Sequence, residues 1–157
     1  MIYRSKKKGG FDVMIRKART AYKYCIGIDT GVHTGFAVWN RELRAFEIIG
    51  EKKIHEVMQL VREYYLTGDG VLVRVEDARK RTWFGTRSNE KLQGAGSVKR
   101  DSTIWDDYLK DLGCEYEMVA PKDNNTKLSQ MQFKALTKYK GLTNEHKRDA
   151  AMLVFGL

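Results

Sequence analysis

Apolar residues fall into short runs broken by turn residues early in the chain and then alternate with stretches of helical spacing. Cys25-Ile26-Gly27-Ile28 delivers one carboxylate, Asp29, and stops at Thr30-Gly31; Gly35 opens a second run, Phe36-Ala37-Val38-Trp39. Runs of this length between glycine and polar residues read as buried strands, here over 23–29 and 35–40. A third strand is expected over 43–49, after a tight turn at Asn40-Arg41-Glu42. Three short-linked strands make an antiparallel meander. Ile54, Val57, Met58, Val61 and Tyr65 then recur at helical spacing and predict an amphipathic helix over 52–66, ended by Thr67-Gly68-Asp69-Gly70.

Val71-Leu72-Val73-Arg74-Val75 reads as a central strand running into Glu76-Asp77. A loop rich in charge and aromatics spans 78–87, and a long helical region covers 88–112. Its first half, LQGAGSVKR, is small and glycine-bearing, which suits close approach to another backbone. Its second half sets Ile104, Trp105, Tyr108, Leu109 and Leu112 on one face. Gly113 stops it, and 114–119 makes a fifth strand. Beyond Pro121 a polar stretch, 122–127, leads to a helix bearing Met131, Phe133, Leu136 and Tyr139. A last helix runs from near Thr143 through His146 and Asp149 to the end of the chain. The order β-β-β-α-β-α-β-α-α predicts an α/β fold: a five-stranded mixed sheet, three strands antiparallel and two parallel, with helices on both faces.

Composition narrows the setting. With 157 residues, 42% of them hydrophobic and one proline, the chain holds a single globular domain over 23–157. Residues 1–22 form a basic arm carrying Arg4, Lys6, Lys7, Lys8, Arg16, Lys17 and Arg19. It is either a solvated terminus or a DNA-contacting arm. Twenty-nine basic against 20 acidic residues leave a net charge of +9, which points to a polyanionic partner, nucleic acid before an anionic membrane. No apolar run approaches the roughly 18 residues that span a bilayer, and MIYRSKKKGG lacks the apolar core of a secretory signal. Cys25 and Cys114 sit in apolar runs without a CxxC pair, so buried free thiols in a reducing compartment are expected and a structural zinc site is not. That setting is cytoplasmic, or nuclear in a eukaryotic host.

The candidate chemistry lies in four residues. Asp29 and Glu76 each end an apolar strand, so neighbouring strands would set them side by side. His146 and Asp149, three apart on the last helix, share a face. Such a donor set suits Mg²⁺ or Mn²⁺, and two ions about 4 Å apart would activate water and stabilise the leaving oxygen of a phosphodiester. Each acid alone reads more simply as a solvated loop residue or a charged helix face; the order of elements is what joins them.

Together, IGIDTGVHTGFAVW, VRVEDAR and EHKRDAAMLV resemble the three acidic motifs of the RuvC-like Holliday-junction resolvases, members of the RNase H-like nuclease superfamily. The short, basic form is similar to phage-encoded versions, and the likeness runs from about residue 24 to the end. It includes LQGAGSVK and TKLSQMQFKAL. Asp29, Glu76, His146 and Asp149 match the family's four acidic positions, as catalytic residues and metal ligands. The resemblance implies a homodimeric, Mg²⁺-dependent endonuclease, two ions per site, that nicks opposing strands of a four-way DNA junction. The small-residue helix would contribute to the dimer interface.

One departure is Arg79, which stands where the family often keeps an aromatic in a loop that works at the junction centre. Trp83 and Phe84 are the nearest rings, suited to stacking on an unpaired base or to burial against the protein. Arg79, Lys80, Arg81 and Arg87 around Glu76, with Lys122 and Lys127 before the last helices, are the candidate phosphate contacts. Three alternatives stand beside this: a nuclease for RNA–DNA hybrid or flap DNA, an inactive module that binds branched DNA, and an actin-like ATPase suggested by DTGxxTG. The last needs two such domains, more than this chain can hold. On the nuclease reading, the glycines after Asp29 serve a tight turn and the approach of substrate.

Overall fold

In the computed structural model, residues 22–81, 89–124 and 127–157 are described. Most of the N-terminal arm and the residues Trp83, Phe84 and Arg87 lie outside that range.

Strand β1 (Tyr24–Asp29) lies between β2 (His33–Asn40), antiparallel to it, and β4 (Val71–Glu76), parallel to it. β3 (Ala45–Lys53) closes one edge antiparallel to β2, and β5 (Glu115–Val119) closes the other parallel to β4. The order is β3-β2-β1-β4-β5, the mixed sheet the sequence predicts. Helices α1 (Ile54–Leu66) and α2 (Asn89–Leu112) cover one face; α3 (Gln130–Thr137) and α4 (Glu145–Met152) cover the other.

Strand alternation assigns residues to these faces. Ile26, Ile28, Val73 and Val75 pack with Val57 and Val61 of α1 and with Trp105 and Leu109 of α2. Their sequence neighbours Cys25 and Leu72 turn the other way, against Leu153 and Val154 just past α4. Asp29 and Glu76 keep the parity of Cys25 and Leu72, so both belong to the α4 face. Since Ile28 pairs with Val75, they stand one step further along in adjacent strands. A one-residue slip of either strand would send its carboxylate into the α1–α2 core.

Element boundaries moved for local reasons. Leu43, expected in β3, is instead 70% exposed in the turn at 41–44. The side-chain oxygen of Asn40 accepts from the backbone N–H groups of Glu42 and Leu43, and Arg44 adopts φ 49°, which delays the strand to Ala45. His33 pairs with Lys53, so β2 starts earlier and β3 runs later than expected, and α1 begins at Ile54. Lys138, at φ 60°, ends α3 before Tyr139, whose ring still packs on Phe133 and Phe46. Helix α4 ends at Met152 rather than at the chain end. Both cysteines are buried, and neither is in a disulfide. Among the described residues no helix is long and apolar enough to cross a membrane.

Candidate active site

Helix α4 brings the last two predicted residues to the first two, and glycine is what lets it come close enough. A Cβ built on Gly27 would fall 2.0 Å from the carbonyl oxygen of Ala150, and one on Gly35 would fall 2.4 Å from that of His146. The helix backbone therefore rests directly on β1 and β2. Its start is fixed by Asn144, whose side chain accepts from the backbone N–H of Lys147 at 3.0 Å, so His146 falls in the first turn. Its far end is tied by Arg74, which donates to the carbonyl of Leu153 at 2.7 Å and pairs with Glu117 at 2.8 Å.

The result is a cleft of about 310 Å³ lined by Asp29, Thr30, Glu76, Arg81, Lys127, Glu145, His146 and Asp149, among others. His146 Nδ1 donates to Asp29 Oδ2 at 2.8 Å. Arg81 lies 3.8 Å from Glu76 Oε1. Lys127 pairs with Glu145 and lies 3.8 Å from Asp149 Oδ2. Each of the three predicted acids thus has a basic side chain beside it, His146 for Asp29, Arg81 for Glu76 and Lys127 for Asp149.

Crowding leaves its mark on the protonation of the site. Burial pushes the Asp29 carboxyl up to about 6, with the charges of Glu76 and Asp149 adding to the rise while His146 opposes it. Asp149 is raised as well, first by burial and then by Glu76 and Glu145 against the pull of Lys127. The hydrogen bond to Asp29 raises His146. A group that holds its proton more tightly when folded adds stability that is complete below its unfolded pKa and lost as pH rises through its folded pKa. For Asp29 that loss runs from about pH 4 to about 6; His146 extends it upward from about 6.5. Melting in EDTA should therefore show the midpoint falling from pH 4 to 7, with a flatter profile for Asp29→Asn. An equally steep Asp29→Asn profile would exclude Asp29 as the source.

The predicted basic residues divide. Lys127 and Arg81 line the cleft. Arg79 is held on both oxygens of Asp77 at 2.8 Å and on Asp106 at 3.1 Å, fastening the 3₁₀ turn Ala78–Lys80 to α2. Lys80 donates to the carbonyl of Met118 at 2.5 Å. Lys122 belongs to the 3₁₀ turn Pro121–Asp123 that follows β5.

Two residues of the site carried no signal in the sequence reading. Glu145 reads there as one more charge on α4, yet it faces Lys127 across the cleft mouth. Asn124 lies in the polar stretch after Pro121 but is buried; its amide donates to Glu76 Oε2 at 2.9 Å and to the backbone carbonyl of Asp149 at 3.2 Å. One neutral side chain so joins β4 to α4 between two acids. Replacing it by alanine leaves the Asp149 carbonyl short of a donor and should cost about 1–2 kcal/mol in chemical denaturation. Asn124→Asp, adding a carboxylate beside Glu76, should cost more without metal and recover most of the loss in Mg²⁺. Equal loss with and without Mg²⁺ would count against that electrostatic account.

Among the described residues no three His, Cys, Asp or Glu side chains are gathered into a ready metal cage. The donor set nonetheless fits a hard divalent ion. Carboxylates and one imidazole share the cleft, and Asp29 and Asp149, raised first by burial and then by neighbouring carboxylates, are groups whose charged form such an ion would favour. Asp29, Glu76, Asp149 and His146 are the residues that would hold it.

The same architecture occurs in a solved structure, that of T. thermophilus RuvC in complex with a Holliday junction substrate. The TM-score is 0.55 at 17% sequence identity, over 84% of this chain and 90% of that one. The fold is RuvC-like. By sequence, neither a family model nor a curated protein matches the chain.

Proposed function

We propose that the protein is a Mg²⁺-dependent endonuclease of RuvC type that nicks branched DNA, the four-way junction first. The observation that carries this reading is the convergence of Asp29 and Glu76, from adjacent parallel strands, with His146 and Asp149 on the helix seated over them. The net charge of +9 supports a polyanionic substrate, and the RuvC fold supports the choice of a junction. Mn²⁺ should substitute for Mg²⁺, since both prefer oxygen donors.

Two divalent ions held by Asp29, Glu76, His146 and Asp149 would supply Lewis-acid stabilisation of phosphoryl charge and lower the pKa of water. The chain's own groups supply the rest. With Nδ1 of His146 committed to Asp29, Nε2 is the ring nitrogen left, either to join an ion or, where the three carboxylates alone hold the metal, to take a proton from an attacking water. Asp29 fixes the tautomer and steadies the imidazolium. Arg81 and Lys127 offer positive charge to the phosphate oxygens at the cleft. Asn124 keeps Glu76 aligned with α4. A homodimer, paired through the small-residue part of α2, would present two such clefts to opposite strands.

The test compares four substrates in Mg²⁺: a mobile four-way junction, duplex, flap DNA and RNA–DNA hybrid. Paired symmetric nicks on the junction are expected. Preferred cutting of the hybrid or flap would redirect the substrate, and absence of cleavage on all four would overturn the enzyme reading.

A further inference from the structure

We propose that Lys127 is a built-in counter-cation of the acid cluster, displaced from Asp149 when a divalent ion enters and then retained by Glu145. The inference rests on reading the cleft as a divalent-metal site.

Three observations converge on Lys127. First, its ammonium contacts Glu145 and lies 3.8 Å from Asp149 Oδ2, so one cation is shared by a rim acid and a cluster acid. Second, its backbone sits at φ 86°, a region that L side chains rarely adopt, so the chain holds this residue at the cleft against local preference. Third, His146 and Arg81 already answer Asp29 and Glu76, which leaves Lys127 as the cation on the Asp149 side. The pull of Glu145, and then of Asp149 and Glu76, raises its pKa and keeps it charged.

A divalent ion and an ammonium compete for one carboxylate, because their charges repel and each needs the same oxygens. The long lysine stem can leave Asp149 without leaving Glu145, whose own side chain is lowered in pKa by Lys127. Glu145 thus sets how much of the time Lys127 occupies Asp149. The released ammonium remains at the cleft mouth, where a phosphate oxygen would meet it, so metal entry and DNA binding are linked through one side chain.

The experiment is a Mn²⁺ titration at low salt, followed by calorimetry or by the spin-resonance signal of free Mn²⁺. Wild type, K127M, E145Q, the K127M/E145Q double variant and D29N are compared. K127M keeps the stem and removes the charge, and should bind Mn²⁺ about two- to fivefold more tightly, the range of an exposed ion pair. The gain should shrink in high salt. E145Q should weaken Mn²⁺ binding in the wild-type background and have little effect in K127M, because Glu145 acts through Lys127. Equal affinity of wild type and K127M, with D29N weakened, overturns this inference and leaves the metal site standing. An E145Q effect that persists undiminished in K127M overturns it too, making Glu145 a ligand in its own right. Should the wild type bind no Mn²⁺, the metal reading falls and takes the inference with it.

Discussion

Asp29→Asn is expected to abolish Mg²⁺-dependent cleavage while leaving junction binding intact or tighter. The substitution removes a charge of the proposed metal site and the carboxylate hydrogen-bonded to His146. Loss of several kcal/mol of transition-state stabilisation corresponds to roughly a thousandfold or more in rate. Binding should not suffer, because the candidate phosphate contacts are basic residues and the change makes a chain of net charge +9 more positive still. Single-turnover cleavage of a labelled junction, with binding measured in parallel in Ca²⁺, separates the two effects. Cleavage by Asp29→Asn within tenfold of wild type would end the proposed mechanism. Loss of both cleavage and binding would instead indicate that the fold had been disturbed.

The second large effect should come from residues that touch no substrate. Gly27→Ala and Gly35→Ala each place a methyl group inside contact distance of the α4 backbone, at 2.0 Å from Ala150 and 2.4 Å from His146. A helix backbone cannot yield as the tip of a flexible side chain can, so α4 must lift. Overpacking of this kind costs about 1–3 kcal/mol, and a melting point in a chain of this size falls ~2–4 °C for each. Lifting α4 also draws His146 and Asp149 away from Asp29 and Glu76, so cleavage should fall further than stability alone explains. Gly31→Ala is the control. A Cβ there meets only the His33 carbonyl, at 3.4 Å, an ordinary contact. Melting and cleavage of the three variants side by side check the argument; equal tolerance at Gly27, Gly31 and Gly35 would refute it.

That contrast changes the meaning of the DTGxxTG stretch. From sequence, its glycines suit a tight turn and the approach of substrate. In the structure Gly35 accommodates the protein's own last helix, and Gly27, before the motif, does the same. Strand ends, parity and helix spacing are local properties, so the five strands, Asp29, Glu76 and the shared face of His146 and Asp149 could be read in advance. How closely α4 would sit, and on which glycines, depends on contacts across more than a hundred residues, such as the 117-residue separation of His146 from Asp29. Asn124 was invisible for a related reason: a polar residue in a polar stretch has no pattern to mark it as buried. Arg79 shows the converse. Its position beside Glu76 suggests a phosphate contact, whereas its guanidinium is engaged by Asp77 and Asp106, and no local rule would have paired it with a carboxylate 27 residues away.

Because α4 rests backbone-on-backbone over two strands more than a hundred residues earlier in the chain, the proposed site is assembled across a long span of sequence. A nascent chain can complete β1 through β4, with both strand acids in place, and still lack the imidazole and the third carboxylate. Closing so long a loop is entropically slow compared with forming the hairpins. Docking of α4 is therefore the step that completes the proposed site, so any cleavage it performs should await a packed sheet.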